Sequence, residues 1–241
     1  MTRVLVVMPT YNEIGNLHSM LDRIHASNPE VELLVVDDNS PDGTGIAALE
    51  RSERDAWVHV LQRSAKSGLG AAYRAGFSWG IERGYEVLVE MDADGSHQPE
   101  QLPLLLAALK NADLVLGSRW IRGGSVVNWP LSRKLLSLGG NFYTRLMLGI
   151  PIKDATGGFR AFTADAVREI QLLDRDTQGY IFQVENTYLA VKRGLKVVEV
   201  PIEFVERVVG TSKMSRAIVV EALARVTIWG LRNRILRQPL V

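Results

Sequence analysis

The chain has 241 residues, 46% hydrophobic and 23% charged, enough apolar material for a core and too little charge repulsion for disorder. It has no cysteine, which excludes a disulfide framework, thiolate metal sites and cysteine nucleophiles; metal chemistry would fall to Asp, Glu, His or Ser. The net charge of +1 hides an asymmetry: residues 1–100 carry 8 Lys/Arg against 16 Asp/Glu, and residues 101–241 carry 20 against 11. An acidic half suits a cation, and a basic half suits phosphates or an anionic membrane surface. The basic residues are scattered and match no nucleic-acid module, so no nucleic-acid partner is expected. The opening apolar run ends at Pro9, too short for a signal peptide's apolar core or for the roughly 20 residues of a bilayer span, so no leader or N-terminal anchor is expected.

Short apolar runs, Val4 to Met8, Val31 to Val36, Trp57 to Leu61, Glu86 to Met91 and Asp113 to Gly117, read as strands buried on both faces. Helical patterns lie between them at Glu13 to Ala26, Gly45 to Arg54, Gly70 to Arg83 and Pro99 to Lys110. The alternation predicts an α/β fold, a mostly parallel sheet flanked by helices, with ligands at the carboxyl ends of the strands. Beyond Gly117 come a basic loop (Arg119 to Pro130), a helix (Leu131 to Leu148), Gly157-Gly158, helices near Ala164 to Leu172 and Phe182 to Arg193, and a strand at Lys196 to Val200. A last helix, Ala217 to Leu236, puts Glu221, Arg225 and Arg232 on one stripe and apolar residues over most of the rest.

At the strand ends stand Pro9-Thr10-Tyr11-Asn12-Glu13, Asp37-Asp38-Asn39-Ser40-Pro41-Asp42-Gly43 and Asp92-Ala93-Asp94-Gly95. Any one cluster can be a turn or a helix cap. Three at one sheet edge point to a site. Asp92 and Asp94, two apart in extended chain, point the same way and can share a divalent cation, Mg²⁺ or Mn²⁺, with diphosphate oxygens completing its shell. The Gly-x-Gly at Gly68-Leu69-Gly70 follows the third strand rather than the first, which argues against a dinucleotide site. No phosphate P-loop occurs, and a receiver-type phospho-acceptor domain would leave the basic half unexplained.

With Pro9 to Glu13, Val36 to Thr44, Gly68 to Tyr73, Met91 to Asp94, Gly117-Ser118-Arg119, Ser132 to Ser137, Asp154 to Arg160, Gly179 to Gln183 and Arg207 to Lys213 in order, the chain resembles the dolichol- or polyprenol-phosphate mannose synthases. These are inverting family-2 glycosyltransferases of GT-A (Rossmann-like) fold. The resemblance implies a GDP-mannose donor and a polyprenyl or dolichyl phosphate acceptor. By matching position, Pro9, Tyr11, Glu13, Val36 and Asp38 would hold the guanosine part, and Asp92 and Asp94 the metal and diphosphate, with Ala93 beside the nucleotide. Arg119, Arg207 and Lys213 would contact phosphates; Arg133 and Ser137 would bind the acceptor phosphate. Where some relatives carry a metal-binding Gln two residues after Asp-Ala-Asp, this chain has Ser96, followed by His97.

A lipid acceptor implies a membrane. Every long apolar stretch is broken by charge, so peripheral attachment is expected, with the protein otherwise cytoplasmic. Residues 1–216 read as the catalytic domain and 217–241 as an amphipathic basic helix. That helix would meet the membrane surface, the core or a membrane-anchor partner protein. The alternatives are a transferase moving another sugar from UDP or another nucleotide, a nucleotidyltransferase, and a non-catalytic binding module.

Overall fold

The computed structural model describes residues 2–174, 177, 179–207 and 216–235. Among these, β1 (Val4–Thr10), α1 (Ile14–Ser27), β2 (Glu32–Asp37), α2 (Thr44–Arg54), β3 (Val58–Gln62), α3 (Leu69–Glu82), β4 (Val87–Glu90), α4 (Leu102–Leu109) and β5 (Leu114–Ser118) alternate as expected. The second half holds β6 (Ser125–Val127), α5 (Leu131–Leu148), β7 (Arg160–Thr163), α6 (Ala164–Glu169), α7 (Gly179–Lys192), β8 (Val197–Pro201), β9 (Glu203–Val205) and α8 (Arg216–Ile235).

The main sheet runs β3-β2-β1-β4-β7-β5-β8. All its neighbours pair in parallel except β7, which lies antiparallel between β4 and β5. Strand alternation divides the core into two layers. Val6, Met8, Leu33, Val35 and Val89 face α1, α2 and α4, while Leu5, Val7, Leu34, Val36 and Leu88 face α3, α6 and α7 with the inner sides of α5 and α8. Helix α3 lies close on the sheet because Gly76 has no side chain: a Cβ there would stand 2.4 Å from Val7 Cγ1.

Three strands escape the sequence reading. β7 is four residues long and carries a charge. Its Arg160 stands opposite Glu90 and is fully buried. The guanidinium is satisfied by the carbonyls of Gly157, Gln183 and Ala155, each at 2.7 Å, and by Thr187 Oγ1 at 3.0 Å. Burial lowers Arg160 to about 10 despite Glu90, and raises Glu90 to about 7 despite Arg160. β6 and β9, three residues each, pair in parallel as a separate ribbon. The stretch read as a basic loop is thereby tied down. The terminal helix is also fixed: Val226 and Trp229 of α8 are buried in the core, and Gly230 abuts the Met147 carbonyl.

Candidate active site

The carboxyl ends of β1, β2, β4 and β5 open into one cavity of about 850 Å³, lined by Pro9, Tyr11, Glu13, Asp38, Asp92, Ala93, Asp94, Arg119, Arg133, Ser137 and Arg207. Nearly all the residues singled out from the sequence thus meet in one place. Val36 is the exception among the described residues: its side chain is buried in the core layer beneath α3. Lys213 lies outside the described residues.

The paired acids after β2 divide their work. Asp37 accepts from Thr10 Oγ1 at 2.9 Å and from the Ser40 hydroxyl and amide at 2.5 and 3.0 Å, fixing the turn. Asp38 faces the cavity, its Oδ1 2.7 Å from Arg63; burial pushes its carboxyl up, against the pull of Arg63. Asp42 caps α2 through the Thr44 amide (3.0 Å) and accepts from the Ile14 amide (3.2 Å), a structural duty.

Behind Asp92 stand two buried groups. Tyr73 of α3 donates its hydroxyl to Asp92 Oδ1 at 3.0 Å, and the Asp92 amide donates to His97 Nδ1 at 3.0 Å. That second bond leaves the His97 proton on Nε2 in the neutral ring, and burial lowers the His97 pKa despite Asp92 and Asp94. Asp94 Oδ1 accepts from the Ser96 hydroxyl (2.5 Å) and amide (3.0 Å), and Oδ2 lies 3.1 Å from Arg207. Burial would raise Asp94, but Ser96 and Arg207 outweigh it and hold the carboxyl ionised below its usual range. Two carboxylates are therefore presented at the cavity, one of them already balanced by an arginine.

Arg119, just past β5, is buried and committed to Asp154: Nε and Nη2 reach its two oxygens at 2.7 and 2.6 Å, and Nη2 also reaches Thr156 at 3.0 Å. Burial would raise Asp154, but Arg119 holds it low. Trp120, Trp129 and Phe204 surround the guanidinium at 5.4–5.7 Å. Arg133 pairs with Glu206 and lies over Trp129 at 4.1 Å, with Ser137 one turn further along α5. Lys66, over the Tyr11 ring at 3.8 Å, also lines the cavity.

Sequence reasoning gave no role to Tyr73, Asp154, Trp129 or Lys66. Tyr73 and Asp154 stood inside segments that carried the resemblance, which was the available signal. Their partners come from other elements, which spacing does not reveal.

The model of glycosyl transferase family 2 matches residues 5–171. An undecaprenyl-phosphate mannosyltransferase of Micrococcus luteus is 57% identical over 232 residues, 96% of each chain. A polyprenol monophosphomannose synthase of Mycolicibacterium smegmatis is 52% identical over 97% of this chain and 89% of its own. A dolichol-phosphate mannosyltransferase of Pyrococcus furiosus is 38% identical over 93% of this chain and 62% of its own. In fold the chain is similar to a glucosyl-3-phosphoglycerate synthase of Mycobacterium tuberculosis solved with manganese and UDP, at TM-score 0.65, 19% identity, 97% of this chain and 80% of that one. A mannosyltransferase of Pyrobaculum calidifontis solved with GDP-mannose and manganese gives 0.61 and 19%, over 99% and 65%. With carboxylates at the strand ends of a GT-A sheet and relatives of this identity over nearly its full length, the chain belongs to glycosyl transferase family 2, alongside the polyprenyl-phosphate mannosyltransferases.

Proposed function

We propose that the protein transfers mannose from GDP-mannose to a polyprenyl phosphate with inversion at the anomeric carbon, releasing GDP. The observation that carries this reading is one cavity with an acidic end, Asp38, Asp92 and Asp94, and another end where Arg133 and Ser137 give way to Leu135, Leu136, Tyr143 and Leu223. A nucleotide sugar suits the first end and a phosphate on an apolar chain the second. The M. luteus and M. smegmatis relatives, named for such acceptors, support the same assignment.

Pro9, Tyr11, Glu13 and Asp38 hold the guanosine part, with Ala93 beside it, and Arg119, Arg207 and Lys213 serve the phosphates. A divalent cation, Mg²⁺ or Mn²⁺, fits Asp92 and Asp94. Both offer hard carboxylate oxygens, and among the described residues no group of three His, Asp or Glu side chains surrounds one point. That donor set suits an ion completed by substrate phosphate oxygens. When bound, the cation supplies charge neutralisation on the departing diphosphate.

The acceptor needs no general base, since a phosphate monoester with its second pKa near roughly 6 is largely dianionic at neutral pH. Its oxygen attacks the anomeric carbon from the face opposite the leaving group. Arg133 and Ser137 orient that phosphate, and Arg207 meets charge on the GDP side. Arg119 acts from within its pair with Asp154. It presents a fixed positive edge rather than a mobile one.

Residues 1–216 form the catalytic domain in this reading; α8 packs Val226 and Trp229 into its core and offers its exposed side to the membrane surface or an anchor protein. The location is the cytoplasm, held peripherally at the membrane where the acceptor resides. Among the described residues no helix is long and apolar enough to cross a membrane.

The test is incubation of the pure protein with GDP-mannose, a short-chain polyprenyl phosphate and Mn²⁺ or Mg²⁺, with glycolipid and GDP expected. Product from UDP-glucose but not GDP-mannose would reassign the donor. Diphosphate release would indicate a nucleotidyltransferase, and nucleotide-sugar binding without turnover a binding module.

A further inference from the structure

Arg133 of α5 lines the cavity, but the groups that hold its guanidinium come from elsewhere in the chain. Glu206, directly after β9, pairs with Nη1, and the guanidinium carbon stands 4.1 Å from the centre of the Trp129 ring. Both holders are themselves fixed. The Glu206 amide donates to the Val127 carbonyl at 3.0 Å, continuing the pairing of β6 with β9, and Trp129 meets Phe204 edge-on with ring centres 5.4 Å apart. The ion pair is largely buried, its side chains 17 and 23% exposed, and Glu206 is not among the residues that line the cavity. Glu206 therefore works from behind the arginine.

Two of the cavity's arginines are paired in different ways. Asp154 takes Nε and Nη2 of Arg119, the edge with which an arginine meets a carboxylate or phosphate bidentately. Glu206 takes Nη1 of Arg133 instead, and the Nε on the other edge is buried with no hydrogen-bond partner among the described residues. A buried donor without an acceptor is costly, and an oxyanion that reaches it recovers the cost. We propose that Glu206 is a positioning residue for the acceptor: by holding Nη1, with Trp129 against the guanidinium plane, it aims the Nε–Nη2 edge of Arg133 at a phosphate monoester. The inference rests on the lipid-phosphate reading above and adds to it a carboxylate that acts through Arg133 without touching substrate. A carboxylate beside an anion's subsite repels that anion, so its contribution has to be order: it fixes a long side chain that would otherwise lose its rotamer freedom on binding.

The test is calorimetric binding of a short-chain polyprenyl phosphate to the full chain, without GDP-mannose, alongside transfer kinetics. Glu206→Ala is expected to weaken lipid binding and raise the acceptor KM about tenfold, while the melting curve stays cooperative. Glu206→Gln, which keeps an oxygen for Nη1, is expected to stay within about threefold of wild type. In an Arg133→Ala background the Glu206→Ala loss is expected to vanish, since the carboxylate acts only through that guanidinium. Acceptor binding that Glu206→Ala leaves unchanged or tightens overturns the proposal, and so does a loss of the same size without Arg133. A wild type that binds the lipid phosphate but transfers no mannose, with the Glu206→Ala loss in binding intact, refutes the activity and keeps this inference. Mannose transfer that Glu206→Ala does not affect does the reverse.

Discussion

Asp92 is held from two sides, by the buried Tyr73 hydroxyl and by His97. Removing the Tyr73 hydroxyl leaves the ring packed against Phe77 and Phe182 while freeing Asp92 Oδ1. Tyr73→Phe is therefore expected to weaken activation by Mn²⁺ about tenfold or more at nearly unchanged melting temperature, measured by cation titration of the transfer rate. Asp94→Ala is expected to cost on the order of 3 kcal/mol, about a hundredfold in rate; full activity at saturating Mn²⁺ would refute the cation assignment. Asp154 answers to stability instead. Its carboxyl is depressed by Arg119, so its contribution is present above the ordinary carboxylate pKa and is lost as pH falls through and below that range. Asp154→Asn removes the charge that balances the buried Arg119, with an expected loss of about 3–5 kcal/mol in urea unfolding at neutral pH and a flatter acid limb. Acids at strand ends are visible in a sequence because strand position is. That Asp154 would pair with Arg119, 35 positions away, is a matter of tertiary register.

Among elements, short apolar runs made β1 to β5 legible, since strands buried on both faces are nearly continuous in apolar residues. β7 defeated that logic. Its Arg160 lies fully inside, solvated by carbonyls that only the finished fold supplies, so a charge appeared where a core strand should have none. Glycines separate packing from cavity. Gly76→Ala drives a methyl into Val7 and is expected to destabilise by about 1–3 kcal/mol. Gly139→Ala, within α5 and with nothing inside 4 Å of its Cβ, is expected to stabilise by about 0.5–1 kcal/mol. Chemical denaturation of the pair tests both signs. The terminal helix read as amphipathic from its charges, with membrane surface, core and anchor partner all open; its buried Val226 and Trp229 belong to the core. Trp229→Ala should cost about 3–5 kcal/mol.

For the whole molecule, the uneven charge along the chain is gathered around one cavity, acids after β2 and β4 with Arg207 beside Asp94, and Arg133 on α5. Each end then makes its own demand on the medium. Chelation of divalent ions is expected to weaken GDP binding by about tenfold or more, because Asp92 and Asp94 then meet the diphosphate with no cation between them, and to leave polyprenyl-phosphate binding nearly unchanged. Calorimetry with each ligand separately checks this, and equal losses would contradict the division.

The ribbon of β6 and β9 joins those ends mechanically. β6 leads through Trp129 into the helix of Arg133 and Ser137, and β9 runs on to Glu206, the partner of Arg133, and to Arg207 beside Asp94. Three rungs of backbone pairing yoke the two grips, so a shift that draws Arg207 toward one substrate tugs on the seat of the other. Arrival of the first guest should tune the reception of the second.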